Sequence, residues 1–342
     1  MRPSLRMRVN WRSAVTALAA AAAVGMFVVY VMGTVVTNTN SGQGCGGTWP
    51  LCQGKFIPEL ALKTMIEWVH RVGTSIEGLL VLALAVGVWV LWRKRREIQV
   101  LAPLMLVILV VEAILGGIIA ENPKSAGVLA VHFGSSLITV ASVALVAVVL
   151  VESAGAEALR DRPLPRGFAW GIGGLIVLTY LVGYIGAYVG HMGIALACPD
   201  WPLCHGAVAP SLTGVGGLDR AVVLIHRYGA LLLVLSTVAL FVWARRQRRA
   251  RPDLYRAALV AMAIIVLQAL AGGYLVASQL SLASRLVHAG LLALYFCVLS
   301  YLLLHLFPRQ RDLRAKIVRR QPARPRAAVS AAPEPAAPTT RG

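Results

Sequence analysis

The stretch from residue 66 to residue 92, IEWVHRVGTSIEGLLVLALAVGVWVLW, decides the fold class of the chain. It is long enough to cross a hydrocarbon core of about 30 Å at roughly 1.5 Å per helical residue. Hydrocarbon cannot satisfy exposed backbone amides, so a run of this length must be a helix rather than an open strand. Seven more apolar runs of similar length lie at 13–37, 99–120, 126–152, 168–190, 220–244, 255–278 and 284–307. The sequence therefore predicts an all-α membrane protein with eight transmembrane helices.

The overall composition agrees with a membrane protein and excludes two other classes. Of the 342 residues, 58% are hydrophobic and 14% are charged, and the mean hydropathy is +0.73. These values exclude a soluble globular enzyme. They also exclude a disordered chain, which would be poor in apolar residues and rich in charge.

The net charge of +19 reports topology rather than a nucleic-acid partner. Of the 33 Lys and Arg residues, 26 lie in five segments outside the apolar runs: 1–12, 93–97, 153–167, 244–256 and 309–342. With eight helices, all five segments lie on one side, and the positive-inside rule makes that side, with both termini, cytoplasmic. The charge then indicates contact with anionic membrane lipid and no nucleic acid.

The second half of the chain repeats the first. Trp49-Pro50-Leu51-Cys52 recurs as Trp201-Pro202-Leu203-Cys204 after 152 residues, and His70-Arg71, Gly116-Gly117 and His132 recur as His226-Arg227, Gly272-Gly273 and His288 after 156. Matches at a nearly constant offset indicate a duplicated four-helix unit. An even number of crossings per unit gives both units the same orientation, so they are related by a pseudo-two-fold axis along the membrane normal.

The repeat also gives the predicted organisation of the chain. It consists of a cytoplasmic N-terminus at 1–12, a first four-helix half at 13–152, a cytoplasmic linker at 153–167, a second four-helix half at 168–307 and a disordered basic cytoplasmic tail at 308–342. The tail is rich in Arg, Pro and Ala, which is typical of a solvated segment. The first apolar run exceeds the usual h-region of a signal peptide, roughly 7 to 15 residues, so we expect a retained helix.

Four repeated histidines are the candidate metal ligands: His70, His132, His226 and His288. All lie near the outer ends of even-numbered helices, two in each half. A single histidine in a membrane helix is most simply a packing residue, but duplicated pairs favour ligation. Two imidazoles without a further Cys or carboxylate leave the tetrahedral shell of zinc half filled. They satisfy both axial positions of a haem, so we predict one haem in each half.

Arginines and glycines beside this pattern have two interpretations each. Arg71 and Arg227 each follow a candidate ligand near the interface, where a guanidinium either pairs with a haem propionate or snorkels to lipid headgroups. The pairs Gly116-Gly117 and Gly272-Gly273 either admit a flat macrocycle or serve plain helix contact. The sequence leaves both choices open.

Four of the five cysteines form one pair in each of two corresponding outer loops, Cys45 with Cys52 and Cys198 with Cys204. The oxidising extracytoplasmic side favours a disulfide within each loop. A structural staple is the simplest role, and a redox or metal-transfer role of the first pair is the alternative. Cys297, inside the last apolar run, is expected to be a buried packing residue.

Glu67 breaks the symmetry of the repeat. It lies three residues before His70 on the same helical face, and its counterpart in the second half is Val223. A carboxylate beside only one centre indicates that the two centres do different work. The alternative is an interfacial glutamate exposed to water.

The remaining polar residues in the apolar runs rank lower. Glu77 shares the face of His70 and is a second-rank candidate, while Glu112 matches Gln268 and is interpreted as a polar helix-contact residue. Three histidines without a place in the repeat are interpreted as surface or packing residues, namely His191, His205 and His305.

The residues that point to a known family are Glu67-Trp68-Val69-His70-Arg71, His132, Ile225-His226-Arg227, His288 and the paired loop cysteines. Over about residues 13–307 this set resembles the haem A synthase family. The resemblance implies oxidation of the methyl group of haem O to a formyl group, which gives haem A for terminal oxidases. It also implies a resident haem b between His226 and His288, a substrate haem between His70 and His132, and a requirement for Glu67. A redox role of Cys45 and Cys52 is implied by the family and does not follow from their spacing.

The resemblance also implies a setting, a bacterial cell membrane with haem O synthase and cytochrome oxidase assembly as functional partners. An ionised Glu67 would stabilise the electron-poor methyl carbon, and the resident haem would relay electrons.

Two rival functions remain. A dihaem electron-transfer cytochrome usually places its haems near opposite faces, and a haem transporter or chaperone needs no catalytic glutamate. The electron acceptor, the oxygen source, the route of haem O and any homo-oligomer stay open.

Overall fold

Eight long helices dominate the part of the chain that the computed structural model describes, which is residues 10–122, 125–152, 159, 162 and 166–306. They are α1 (Trp11–Asn38), α2 (Leu62–Trp92), α3 (Arg96–Glu121), α4 (Ala126–Val151), α5 (Arg166–His191), α6 (Gly217–Arg246), α7 (Pro252–Ala277) and α8 (Leu282–Leu304). All eight are long and apolar enough to cross a membrane. The predicted all-α fold with eight membrane-spanning helices is confirmed. The predicted tail, residues 1–9 and most of the predicted linker lie outside the described residues.

Local chemistry sets several helix ends. α2 begins at Leu62, ahead of the apolar run that predicted it, and the Thr64 hydroxyl in its first turn donates a hydrogen bond to Gly44 O at 2.9 Å. Ser125 and Ser281 cap α4 and α8, because each side-chain oxygen accepts a backbone amide three residues later. These caps fix the first turns of two helices that carry candidate ligands.

The central helices of the bundle are α4 and α8. α4 packs against α1, α3, α5 and α8, while α8 packs against α1, α4, α5 and α7. The apolar core of the first four helices continues into α8, and a second core lies among α5, α6, α7 and α8. Tyr30 of α1 adds a polar contact by donating its hydroxyl to Ala289 O of α8 at 3.2 Å. The pseudo-two-fold relation and the cytoplasmic placement of the termini stay predictions.

Candidate functional site

Two loops at one end of the bundle each contain a disulfide. Cys45–Cys52 lies between α1 and α2, and Cys198–Cys204 lies between α5 and α6. The four half-cystines are at most 2% exposed, so both disulfides lie in the packed interior of their loops. Both disulfides expected from the sequence are therefore present. We refer to the end of the bundle formed by these loops as the disulfide end.

Arg71 and Arg227 fasten these loops to the helices that follow them. Arg71 Nη1 donates hydrogen bonds to Thr48 O at 2.6 Å and to Leu51 O at 3.0 Å. Arg227 makes the matching contacts in the second half, where its guanidinium donates to three loop carbonyls, those of Cys198, Asp200 and Leu203. Because each arginine follows a candidate ligand, the loop is fixed beside the helical turn that carries the histidine. The predicted propionate contacts of both arginines stay predictions.

Glu67 is buried beneath the first disulfide loop, with 5% exposure. Its Oε1 accepts hydrogen bonds from Arg71 Nε at 3.1 Å and Nη2 at 2.5 Å, and its Oε2 accepts the Cys45 amide at 2.9 Å. The alternative of a water-exposed interfacial glutamate is wrong, because folding of the loop covers the start of α2. In the second half Val223 is 3% exposed and packs in a small apolar cluster with Cys198 and Cys204.

The first histidine of each pair lies against a glycine of the preceding helix. A Cβ at Gly33 of α1 would come within 3.3 Å of His70 Cε1, and one at Gly186 of α5 would come within 2.5 Å of His226 Cε1. Only a hydrogen atom fits at Gly186, so this glycine allows the imidazole its place. His226 Nδ1 lies 3.1 Å from Val182 O. When Nδ1 donates to this carbonyl, Nε2 carries the lone pair that a metal needs.

The second histidine of each pair has a polar partner on the neighbouring helix. His132 Nδ1 lies 3.2 Å from Glu112 Oε2 but outside hydrogen-bond alignment, and the carboxylate accepts hydrogen bonds from the hydroxyls of Ser135 and Ser136. His288 Nε2 lies 3.3 Å from the side-chain nitrogen of Gln268. The sequence led us to interpret Glu112 as a polar helix-contact residue and did not place it beside His132. The sequence did contain a signal, because Glu112 and His132 are 20 residues apart and so are Gln268 and His288.

The four candidate ligands come together in the predicted pairs. His70 and His132 are close enough to interact electrostatically, and so are His226 and His288. The Nδ1 atoms of His70, His132 and His288 are buried without a hydrogen-bond partner in the described residues. Within the same residues, no group of three His, Cys, Asp or Glu side chains could hold a metal ion. Two imidazoles from two helices suit the axial positions of a haem better than a zinc shell.

The second glycine of each pair lies against a loop tryptophan, which neither sequence interpretation anticipated. A Cβ at Gly117 of α3 would meet the Trp49 ring at 3.7 Å, and one at Gly273 of α7 would meet the Trp201 ring at 3.0 Å. The indole of each disulfide loop thus packs against a glycine of the third helix of its half. The first glycine of the second pair contacts a candidate ligand, since a Cβ at Gly272 would come within 3.2 Å of His288 Cε1.

The sequence did not predict that His191 lies near the candidate ligand His132. It ends α5, both of its ring nitrogens are buried without a partner among the described side chains and backbone, and it interacts electrostatically with His132. His305 is fully buried, and its Nε2 lies 2.5 Å from Glu152 Oε1 between the ends of α8 and α4. His205 lies in the second disulfide loop, where its Nε2 is 3.1 Å from Ala197 O.

Asp200 gives the second disulfide loop an acid-sensitive turn. Its carboxylate accepts the amides of His205 and Gly206, each at 2.7 Å, whereas Thr48 accepts the Gln53 amide at 2.8 Å in the first loop. The Gly206 hydrogen bond holds the pKa of Asp200 below its usual value of about 4. Because folding lowers this pKa, the ionised carboxylate stabilises the turn fully above about pH 4, the usual pKa of Asp. This stabilisation is lost as the pH falls through the lowered pKa of the folded protein.

We therefore expect acid to open the Asp200 turn selectively. Hydrogen exchange, corrected for intrinsic rates, should show that the Gly206 amide loses protection as the pH falls below about 4. The Gln53 amide, held by a hydroxyl, should keep its protection over the same range. An equal response of the two amides would contradict this account of the turn.

Comparison with known proteins shows the family of this chain. The family model COX15-CtaA, described as cytochrome oxidase assembly protein, matches residues 59–300. A protein named heme A synthase from Bacillus licheniformis is 37% identical over 283 residues, covering 82% of this chain and 92% of that protein. Proteins of the same name from Symbiobacterium thermophilum and Alkalihalophilus pseudofirmus are 37% and 33% identical over 293 and 280 residues, covering 84% and 82% of this chain and 94% and 93% of their own lengths.

These relatives and the eight apolar helices identify a multi-pass bacterial membrane protein. The matched region runs from just before α2 into α8 and includes all four paired histidines, both arginines and Glu67. The chain belongs to the COX15-CtaA family of cytochrome oxidase assembly proteins.

Proposed function

We propose that this protein is a haem A synthase, an enzyme of haem biosynthesis that oxidises the methyl group of haem O to a formyl group and so provides haem A for terminal oxidases. The single observation that carries the proposal is the buried Glu67 carboxylate beside one of the two histidine pairs, where the second half has Val223. The names of the relatives support it.

The second half is proposed to hold a resident haem b between His226 and His288. The Val182 carbonyl fixes the tautomer of His226 that leaves Nε2 free, and coordination through His288 Nε2 would displace the Gln268 amide. The first half would take haem O between His70 and His132. A haem held in this way supplies electron transfer at its iron. The protein binds and orients each haem and provides its electrostatic surroundings.

Arg71 and Arg227 have a proposed second role at the propionates. A guanidinium has five N–H donors, and the loop carbonyls and Glu67 use three or four of them. An N–H group of each arginine is left to pair with a propionate carboxylate at the disulfide end. The same side chain then orders the loop and orients the porphyrin.

Glu67 is proposed to act on the reacting methyl group. Removal of electrons from that carbon develops positive charge, which a fixed carboxylate stabilises. Three N–H groups, two from Arg71 and one from Cys45, hold the carboxylate in place, so little reorganisation is needed during the reaction. The Cys45 amide belongs to the first disulfide. The redox role that the family implies for Cys45 and Cys52 is therefore proposed to act next to Glu67.

Co-expression with a haem O synthase, in a host that makes no haem A, tests the proposed reaction. Extraction and chromatography of the haems should show a new haem A peak that is absent when either protein is expressed alone. Unchanged haem b and haem O would overturn the proposal and favour a haem carrier. Haem A production would also exclude a simple electron-transfer cytochrome.

A further inference from the structure

Glu77 is a buried carboxyl group near the middle of α2 that the proposed reaction does not use. The residue is 3% exposed, and its Oε1 has no hydrogen-bond partner within the described part of the chain. An unpaired polar atom inside a membrane protein costs stability. Ionisable residues at such depth therefore usually serve a function.

The carboxyl group lies in a space provided by a glycine of α1. A Cβ at Gly25 would collide with Glu77 Oε2, so any larger residue would displace the carboxyl group. His70 lies against Gly33 of the same helix in the same manner. His70 and Glu77 therefore share the seam between α1 and α2, on one helical face and about 10 Å apart along the axis.

The second half lacks this pair of residues. The position that corresponds to Glu77, 156 residues later, is Leu233, which is 3% exposed in the second core. The offset of 153 that relates Gly33 to Gly186 takes Gly25 to Leu178, a partly buried member of the same core. Leucines of the second core thus stand at the two positions that a glycine and a glutamate take in the first half. Because leucines satisfy the packing there, packing does not explain the glutamate.

We propose that Glu77, whose carboxyl group is seated against Gly25, forms a subsite for the hydroxyl group of the hydroxyalkyl substituent that distinguishes haem O from haem b. This inference rests on the proposed function, which assigns haem O to the first half. With the propionates at the disulfide end, the opposite edge of the porphyrin points toward the middle of the membrane, where Glu77 lies. A carboxyl group bonds a hydroxyl in either protonation state, as acceptor when ionised and as donor when neutral.

Such a subsite selects haem O over haem b. A buried group that bonds a substrate hydroxyl is left unpaired when the ligand lacks that hydroxyl, so the ligand is rejected. The second half, with Leu178 and Leu233, offers only apolar contact at the same depth. The asymmetry between Glu77 and Leu233 thus matches the asymmetry between the substrate haem and the resident haem.

The test is a binding measurement on the full-length protein, purified with its resident haem from a host that makes no haem O. Haem O and haem b are titrated separately, and the Soret band gives each Kd. Glu77→Leu, which copies Leu233, should lower the preference for haem O over haem b by about tenfold or more. Glu77→Gln, which keeps a hydrogen-bonding amide, should retain the preference within about threefold. Glu59→Leu, on an exposed loop position, is the matched control.

An unchanged preference in Glu77→Leu, with the resident haem spectrum intact, would overturn the subsite. If that variant does not fold, the double variant Gly25→Leu with Glu77→Leu recreates the leucine pair of the second half and is measured in its place. The readout is affinity and not turnover. A preference that depends on Glu77 in a protein that forms no haem A would reject the proposed reaction and keep the subsite.

Discussion

Replacement of Glu67 by glutamine should lower haem A formation by about 100-fold or more while haem binding stays intact. Glutamine has the size of glutamate, and its one carbonyl oxygen can still accept the Cys45 amide. Arg71 can still donate to Thr48 O and Leu51 O, so the disulfide loop should keep its place. What the variant loses is the negative charge and the ion pair with Arg71, neither of which the second half has at Val223. Co-expression with haem O synthase, followed by haem extraction, measures the yield of haem A. The Soret spectrum reports haem content.

Glu59→Gln is the control for this experiment. Glu59 lies in the same loop region, but its side chain is 79% exposed and pairs only loosely with Lys55 at 3.9 Å. The control should give the haem A yield of the unmodified protein. If Glu67→Gln also did so with both haems bound, the carboxylate would have no catalytic role, and its contacts with Arg71 and Cys45 would be purely structural.

The fold could be predicted because the membrane leaves few choices. Apolar runs such as 66–92 must be helices. Their boundaries moved by no more than four residues, as where α2 begins at Leu62 and Thr64 in its first turn bonds the loop, or where α8 ends at Leu304 rather than 307. The histidine pairs could also be predicted, since the repeat preserves residue type and depth. The disulfides followed from compartment and proximity in sequence.

The surroundings of the ligands could not be predicted, because they depend on how loops fold back onto helices. Nothing in the order of residues shows that Arg71 reaches the carbonyls of Thr48 and Leu51, or that Glu67 is covered by the loop that contains Cys45. The burial of His191 near His132 depends on contact between α4 and α5, which lie in different halves. A sequence repeat shows which positions of the two halves correspond to each other. It does not show which residues of one half contact the other half.

Removal of one histidine at a time should separate the two haem sites. His288→Ala should lower the Soret absorbance of protein made without haem O synthase, because the resident haem loses one of its two axial ligands and binds less tightly. His132→Ala should retain that absorbance but lose haem O binding and haem A formation. The difference follows from the proposed division between a resident haem b and a substrate haem.

His205→Ala is the control, since this histidine lies in a loop, its ring nitrogen lies 3.1 Å from Ala197 O, and its backbone amide can still donate to Asp200 in the variant. It should keep both the Soret absorbance and the haem A yield. If His132→Ala lost the resident haem and His288→Ala kept it, the roles of the two halves would be reversed. Glu67 would then lie beside the resident haem, where a carboxylate would shift the potential of the iron rather than act on a methyl group. Unchanged haem content together with an unchanged Soret band in both variants would exclude these histidines as axial ligands.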